Sequence, residues 1–251
     1  MRQPKKRAWA RHRAALEDRE APLVAAASGF TGVLLRGVAR VARVATRAAA
    51  PGGVGMRAAI LSALLAGPSW AVTQPGALVE AARRQVGVTV QYDGAYRRMP
   101  YPGGDVPLHT GVCTDVVVRA YRQLGIDLQQ LVHEDMKAAW SAYPHSWGLK
   151  RPDPNIDHRR VPNLQVFFTR RGAALPPSRD GAHYQPGDLV TWRLPGNLPH
   201  IGIVSSRSVD GRPLVLHNIG QGTREDDLLF AYPITGHYRW LPAGAAAAAR
   251  R

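Results

Sequence analysis

The hydrophobic pattern of this chain changes period once, near residue 187, and that change limits the fold more than any other feature. Upstream of it, apolar residues recur every three or four positions, as one face of a helix requires. Leu78, Val79, Ala82 and Val86 make one stripe over 77–86, ended by Gly87. Val116, Val117, Ala120, Tyr121 and Leu124 make a second, followed by Gly125 as a natural C-terminal cap. Leu128, Leu131, Val132, Met136 and Trp140 mark a third helical region within 126–150. Residues 151–162 follow no period and read as a loop, and 163–169 fits a short helix or a strand equally well. Downstream, strands are expected at 188–192, 201–205, 213–217 and 236–241, with Asp210-Gly211 as the hairpin turn between the second and third. Helices first and an antiparallel sheet afterwards predict an α+β fold built as one domain.

The chain holds a single cysteine, Cys113. One cysteine forms no intramolecular disulfide, so it serves as a buried apolar side chain, a metal ligand or a reactive thiol. At His133-Glu-Asp135 a metal role is disfavoured because no paired His or Cys spacing accompanies it, and no cofactor is expected. The helical stripe puts Cys113 in the first turn of its helix, where unpaired N–H groups and the positive end of the macrodipole favour thiolate over thiol. A lone cysteine in a helix is more often a small hydrophobe, so the reactive reading needs partners. A thiol nucleophile requires a base and a group that orients the base. His200 opens the strand Pro199-His-Ile-Gly-Ile-Val204, which sets it at a sheet edge or mouth, and His217 ends the next strand with Asn218 beside it. His217 and Asn218 point to opposite strand faces, so at most one of them orients the base.

The net charge of +15 is concentrated at the start of the chain. Residues 1–71 hold twelve Lys/Arg against three acids, which leaves twenty-one against fifteen in the remainder. Residues 56–71 combine a basic residue, a short apolar run and the small-x-small ending Ser69-Trp-Ala71, the three parts of a secretory signal peptide. Residues 1–55 then read as a basic extension produced by a misassigned start, or else as a genuine extension that helps to anchor the protein. Either way the domain, 72–242, is expected outside the cytoplasm, periplasmic or otherwise exported, with 243–251 a disordered Ala-rich tail. Nucleic-acid binding is not expected, because the basic residues of 1–55 are not interleaved with aromatics.

The stretches Gly187-Asp-Leu-Val-Thr-Trp192, Pro199-His-Ile-Gly-Ile-Val204 and Val215-Leu-His-Asn218 resemble the catalytic half of the NlpC-type cysteine peptidases. Tyr101-Pro-Gly-Gly104 stands upstream of Cys113 as the Tyr and Gly-Gly of that family do. The phrases Tyr-Pro-Gly-Gly-Asp-Val-Pro, Gly-Val-Cys-Thr-Asp-Val-Val, Leu-Val-His-Glu-Asp-Met and Asn-Ile-Asp-His-Arg-Arg-Val-Pro-Asn-Leu are similar to a bacterial domain family of unknown function in the same clan. Val-Cys-Thr-Asp replaces the common Asp-Cys-Ser-Gly, and Gly-x-Cys-Thr with a later Asn218 leans toward the CHAP amidases. The resemblance implies a papain-like core in which Cys113 is the nucleophile and His200 the general base. It makes His217 the orienter, with Asn218 as the alternative, and sets Tyr101 near the thiol. Asp157, His158 and Arg159 would line a substrate groove and meet a stem-peptide carboxylate, or simply pin a loop. Trp192 would form a groove wall or pack in the core. The expected function is an exported, monomeric cysteine hydrolase that cuts an amide bond in peptidoglycan stem peptides or another envelope amide. The alternative is a catalytically silent module on the same fold that binds or scaffolds the envelope.

Overall fold

The computed structural model of the chain describes residues 74–242, and the basic extension, signal peptide and tail read from the sequence lie outside the described residues. Four α-helices come largely before the sheet: α1 (Gln74–Arg83), α2 (Cys113–Arg122), α3 (Leu128–Ala138) and α4 (Val161–Arg170). Between α1 and α2 two short strands, β1 (Gln91–Tyr92) and β2 (Thr110–Gly111), pair in parallel. The main sheet contains β3 (Ala174–Leu175), β4 (Leu189–Leu194), β5 (Leu198–Val209), β6 (Arg212–Asn218), β7 (Thr223–Asp226) and β8 (Ile234–Tyr238). Its strand order is β3-β8-β4-β5-β6-β7, and every pairing is antiparallel. This is the α+β arrangement that the change of period predicts.

Helix α2 is the centre of the fold. Of its ten residues only Arg122 escapes burial. Val116, Val117, Ala120 and Tyr121 are fully buried in the same core as Leu78 and Val79 of α1 and Ile201, Ile203 and Leu216 of the sheet. A helix buried on nearly every side is a core helix, and the buried Arg119 it carries needs partners. Arg119 finds them in both carboxylate oxygens of Asp105, the Thr89 hydroxyl and the carbonyls of Val106 and Thr110. Further along, the Tyr121 hydroxyl donates to the Trp240 carbonyl at 2.6 Å, and the Tyr121, Phe167 and Phe168 rings all pack on the Trp240 indole.

The hairpin between β5 and β6 turns at Asp210 and Gly211, whose φ angles of 48° and 75° are both left-handed, as a type I′ connection needs. The pairing of β5 with β6 shifts between Val204 and Ser208, so a bulge separates the turn from the inner half of the hairpin. Ser205 in that bulge is buried and hydrogen-bonds Glu225, which Arg83 of α1 also holds. Four elements go beyond what the sequence decides. Residues 163–169 are helical, because Pro162 preorganises the first turn of α4. Strands β3 and β7, with two and four residues, are too short to show a period. The 151–162 loop carries a tight 3₁₀ turn at Asp157–Arg159.

Asp188, at the foot of β4, is buried and accepts hydrogen bonds from Arg239 Nε at 2.7 Å, Arg239 Nη2 at 2.9 Å, His237 Nε2 at 2.7 Å and the Gln185 N–H at 2.8 Å. Burial alone would raise its pKa, but these donors outweigh it and hold the carboxyl below its ordinary 3.8. A carboxylate lowered by folding stabilises fully above its unfolded pKa, and that stabilisation is lost as pH falls through the folded value. Melting temperature followed against pH should therefore drop below about pH 4, and Asp188→Asn should flatten that acid limb while lowering stability at pH 7.

Candidate active site

The start of α2 is held by one carboxylate. Asp115 Oδ2 accepts the N–H of Val112, the residue before the helix, at 2.7 Å. The same carboxylate takes a two-pronged contact from Arg159, with Nε and Nη2 each 2.9 Å from an oxygen. Arg159 then donates to the carbonyls of Asp93 at 3.1 Å and Ala95 at 3.2 Å. Both charged groups are buried, so the helix start, the 93–95 segment and the 157–159 turn are locked around Cys113.

Cys113 is the first residue of α2 and is buried. Burial pushes its thiol up to about 12, with the Asp115 charge adding to the rise. The N–H groups of Ile201, Thr114 and Cys113 itself act against it. The helix N-terminus thus favours thiolate as the sequence suggests, but desolvation is the larger effect and the resting group is a neutral thiol.

Next to it stand two imidazoles in series. His200 Nε2 lies 3.1 Å from His217 Nδ1, and His217 Nε2 lies 3.2 Å from Asp226 Oδ2. Burial acts to raise the Asp226 pKa, but the hydrogen bond from His217, with the Arg224 charge and hydrogen bond, brings it below its ordinary value. An ionised Asp226 only accepts, so His217 Nε2 carries a proton toward it, and in the neutral form of the ring Nδ1 is then bare. That bare nitrogen accepts the Nε2–H of His200, and Nδ1 becomes the basic atom of the His200 ring. Gly202 makes the imidazole pair sterically possible: a Cβ there would come within 2.6 Å of Val215 Cγ1 and 3.1 Å of His217 Cβ.

Cys113 and His200 line one cavity of about 280 Å³, together with Tyr92, Arg159, Arg160 and Ile219. His200 is at the mouth but not at a sheet edge, since β5 runs between β4 and β6. Asn218, the alternative orienter, turns away: its Nδ2 donates to the Gly111 carbonyl at 3.1 Å, and its Oδ1 accepts the Gly220 N–H at 3.0 Å. Trp192 is not a groove wall. It sits directly across from His200 in the β4–β5 pairing, is fully buried, and donates its indole N–H to the Leu229 carbonyl at 2.9 Å.

Tyr101 does not line the cavity. It is 41% exposed and meets the His133 ring edge-on at 5.1 Å. Its motif shapes a loop: Gln129 accepts the Gly104 N–H at 2.7 Å and donates to the Pro100 carbonyl at 3.0 Å, and a Cβ on Gly104 would fall 2.1 Å from that carbonyl. The tyrosine that shares the cavity with the thiol is Tyr92. Of the 157–159 cluster only Arg159 reaches the cavity. Asp157 is consumed by His133 Nδ1 at 2.9 Å and the Asp153 N–H at 2.7 Å. His158 is buried, and that burial with the Arg159 and Arg122 charges drives it down to about 3, a neutral ring at every physiological pH.

Sequence reading misses Asp226, because β7 is too short to reveal which face it presents, and misses the pairing of Asp115 with Arg159, because 44 positions separate them. The one available signal for Tyr92 is its Tyr-Asp-Gly turn. Removing the Asp115 charge leaves a buried guanidinium unpaired, a loss of about 3 to 5 kcal/mol. Denaturant unfolding of Asp115→Asn should show a loss of that size, and adding Arg159→Met to it should recover part of the stability.

The match to the family model described as a domain of unknown function (DUF1287) covers residues 79–240. The chain is 54% identical over 166 residues to the uncharacterized protein YijF of Escherichia coli K12, a match spanning 66% of this chain and 81% of that one. Among solved structures it is similar to NlpC1 from Trichomonas vaginalis, at 15% identity and a TM-score of 0.34 over 65% of this chain and 44% of that one. Among the described residues no group of three His, Cys, Asp or Glu is gathered as a metal site. By the extent of the family match and the identity to its bacterial relative, the chain belongs to the DUF1287 family.

Proposed function

We propose that the chain is a cysteine hydrolase that cuts an amide bond, working on a papain-like arrangement of a thiol-bearing helix against an imidazole-bearing sheet. The observation that carries this reading is the series Asp226, His217, His200 ending at a cavity that His200 shares with Cys113. A purely structural histidine pair has no need of a defined tautomer facing a cavity. Because the resting thiol is neutral, deprotonation accompanies attack. His200 Nδ1 takes the proton as Sγ bonds to the carbonyl carbon, and the N–H of Cys113 at the helix start is available to the developing oxyanion. The imidazolium then gives its proton to the leaving amine, and a thioester remains. Water, deprotonated by His200, releases the acid and restores the thiol. His217 holds His200 in position throughout. Tyr92 takes the position beside the thiol that the family resemblance assigns to Tyr101.

The substrate proposed is a peptidoglycan stem peptide or a related envelope amide. The Arg160 guanidinium at the cavity suits a substrate carboxylate, and the basic balance of the chain suits an anionic wall. Export from the cytoplasm is part of the same proposal. A second reading, a silent envelope-binding module, has the raised thiol pKa in its favour, since a scaffold is indifferent to a buried inert cysteine.

Fragment analysis separates them, while alkylation tests only the concerted step, since a raised thiol pKa is common to both readings. Alkylation of Cys113 should be slower than that of free cysteine at neutral pH and climb beyond pH 9; a plateau already reached at acid pH would mean a standing thiolate–imidazolium pair and overturn the concerted step. Mass analysis of fragments released from purified peptidoglycan should show new termini with wild type, none with Cys113→Ala or His200→Ala, and a reduced yield with His217→Ala. Identical profiles for wild type and Cys113→Ala would sink the wall-hydrolase reading.

A further inference from the structure

Seven of the eight exposed large apolar side chains among the described residues come from one segment, residues 86–108. Val86, Val88, Val90 and Tyr92 are all exposed along its first part, while Thr89 is turned inward to donate to the Leu108 carbonyl at 2.8 Å and accept from Arg119 at 2.9 Å. The N–H groups of Val90 and Gln91 both bond the His109 carbonyl at 3.0 Å, which brings Leu108 alongside. Val86 and Val88 stand on the turn that closes α1, Val90 and Tyr92 on the extended stretch after it, and the buried Thr89 between them anchors the segment to the domain. Val90 is 53% exposed and Leu108 62%. A concentrated apolar patch of this kind on a folded domain marks an interaction surface.

We propose that this strip docks on an anionic lipid bilayer. Chain continuity supplies the charge. Past Tyr92 the same segment reaches Tyr96 and Arg98, which open a groove of about 1010 Å³ also lined by Lys137, Lys150 and Arg151. The side chains of these four cations make no hydrogen bond or ion pair with a described residue. The one acid lining the groove, Asp153, is already held by Tyr96 and Asn155. Apolar side chains for the acyl boundary, tyrosines at the rim and unpartnered cations for phosphate headgroups are the parts of an interfacial lipid contact. A second copy of the chain fits the surface less well, because a twofold contact through the strip would bring two cationic grooves together. Tyr92 belongs both to the strip and to the lining of the Cys113 cavity, so docking brings the mouth of that cavity to the lipid surface. The docking itself is independent of whether the cavity is catalytic.

The test is co-sedimentation of the full chain with vesicles of phosphatidylglycerol and phosphatidylethanolamine, and with phosphatidylcholine alone. Wild type, the triple variant V88S/V90S/L108S and V209S are compared; Val209 is the exposed apolar residue outside the segment, and residues 1–73 are common to all three proteins. At high salt the triple variant should partition about tenfold more weakly into anionic vesicles, as expected for three lost apolar contacts, with V209S unchanged. Equal partitioning of wild type and the triple variant would overturn the proposal. So would a wild type that sediments as a dimer and becomes monomeric in the triple variant, which would assign the strip to self-association. Should the triple variant fail to fold, Leu108→Ser alone carries the comparison, with a smaller loss in the same direction expected and no loss overturning the proposal. Peptidoglycan release by the same variants reports separately on the hydrolase reading.

Discussion

The buried pair of Asp115 and Arg159 is the interaction on which the rest of the site depends. Two charges in a low-dielectric interior repay their desolvation only with good geometry and every remaining hydrogen bond made. Here the geometry is good and most donors are used: the guanidinium is bidentate on the carboxylate and gives two further protons to the Asp93 and Ala95 carbonyls, while the carboxylate also takes the Val112 N–H. The pair does little that a well-packed apolar cluster could not do for stability. What it adds is direction, because a guanidinium fork admits one arrangement of the three segments that meet on it. Cys113 lies between Val112 and Asp115, so its position is set by that fork more than by its own packing.

From there the two halves of the site divide the chemistry between them. The helical half supplies a thiol that is kept neutral by burial, with backbone N–H groups already aimed at it. The sheet half supplies a proton path whose direction runs from an ionised carboxylate through two rings. A low dielectric serves both halves. It suppresses a free thiolate at rest, and it strengthens the hydrogen bonds that keep each imidazole in one tautomer. Trp192, pressed against His200 from the neighbouring strand, helps to make that environment dry.

Much of this was legible from the residues alone, and the reasons for the remainder are specific. Periodicity located α1, α2, α3 and the long strands, since each is long enough to repeat its pattern on one face. Asp210-Gly211 announced the hairpin that brings His200 and His217 together, because two consecutive left-handed residues suit few other structures. Tyr101 misled for a physical reason. Its Gly-Gly neighbours are required by the close approach of Gly104 to the Pro100 carbonyl and Gln129, so the motif marks a tight loop and not the position of the phenol. Tyr92, Asp226 and the partner of Asp115 are set by register and by long-range contact, and neither leaves a trace in local spacing. His158 looked chemically capable in sequence, yet its surroundings hold it neutral.

The bulge between Val204 and Ser208 separates the length of the hairpin from the orientation of its side chains. Across it β5 advances four residues while β6 advances two, so the extra length is taken up locally and the inner half of the hairpin keeps its own register. His200 is held on its face by that inner register and by standing opposite Trp192 on β4, so the outer half of the hairpin can vary in length without turning the imidazole into the other layer. The hydrogen bonds that Glu225 makes to Ser205 and to Arg83 fasten the bulge to α1.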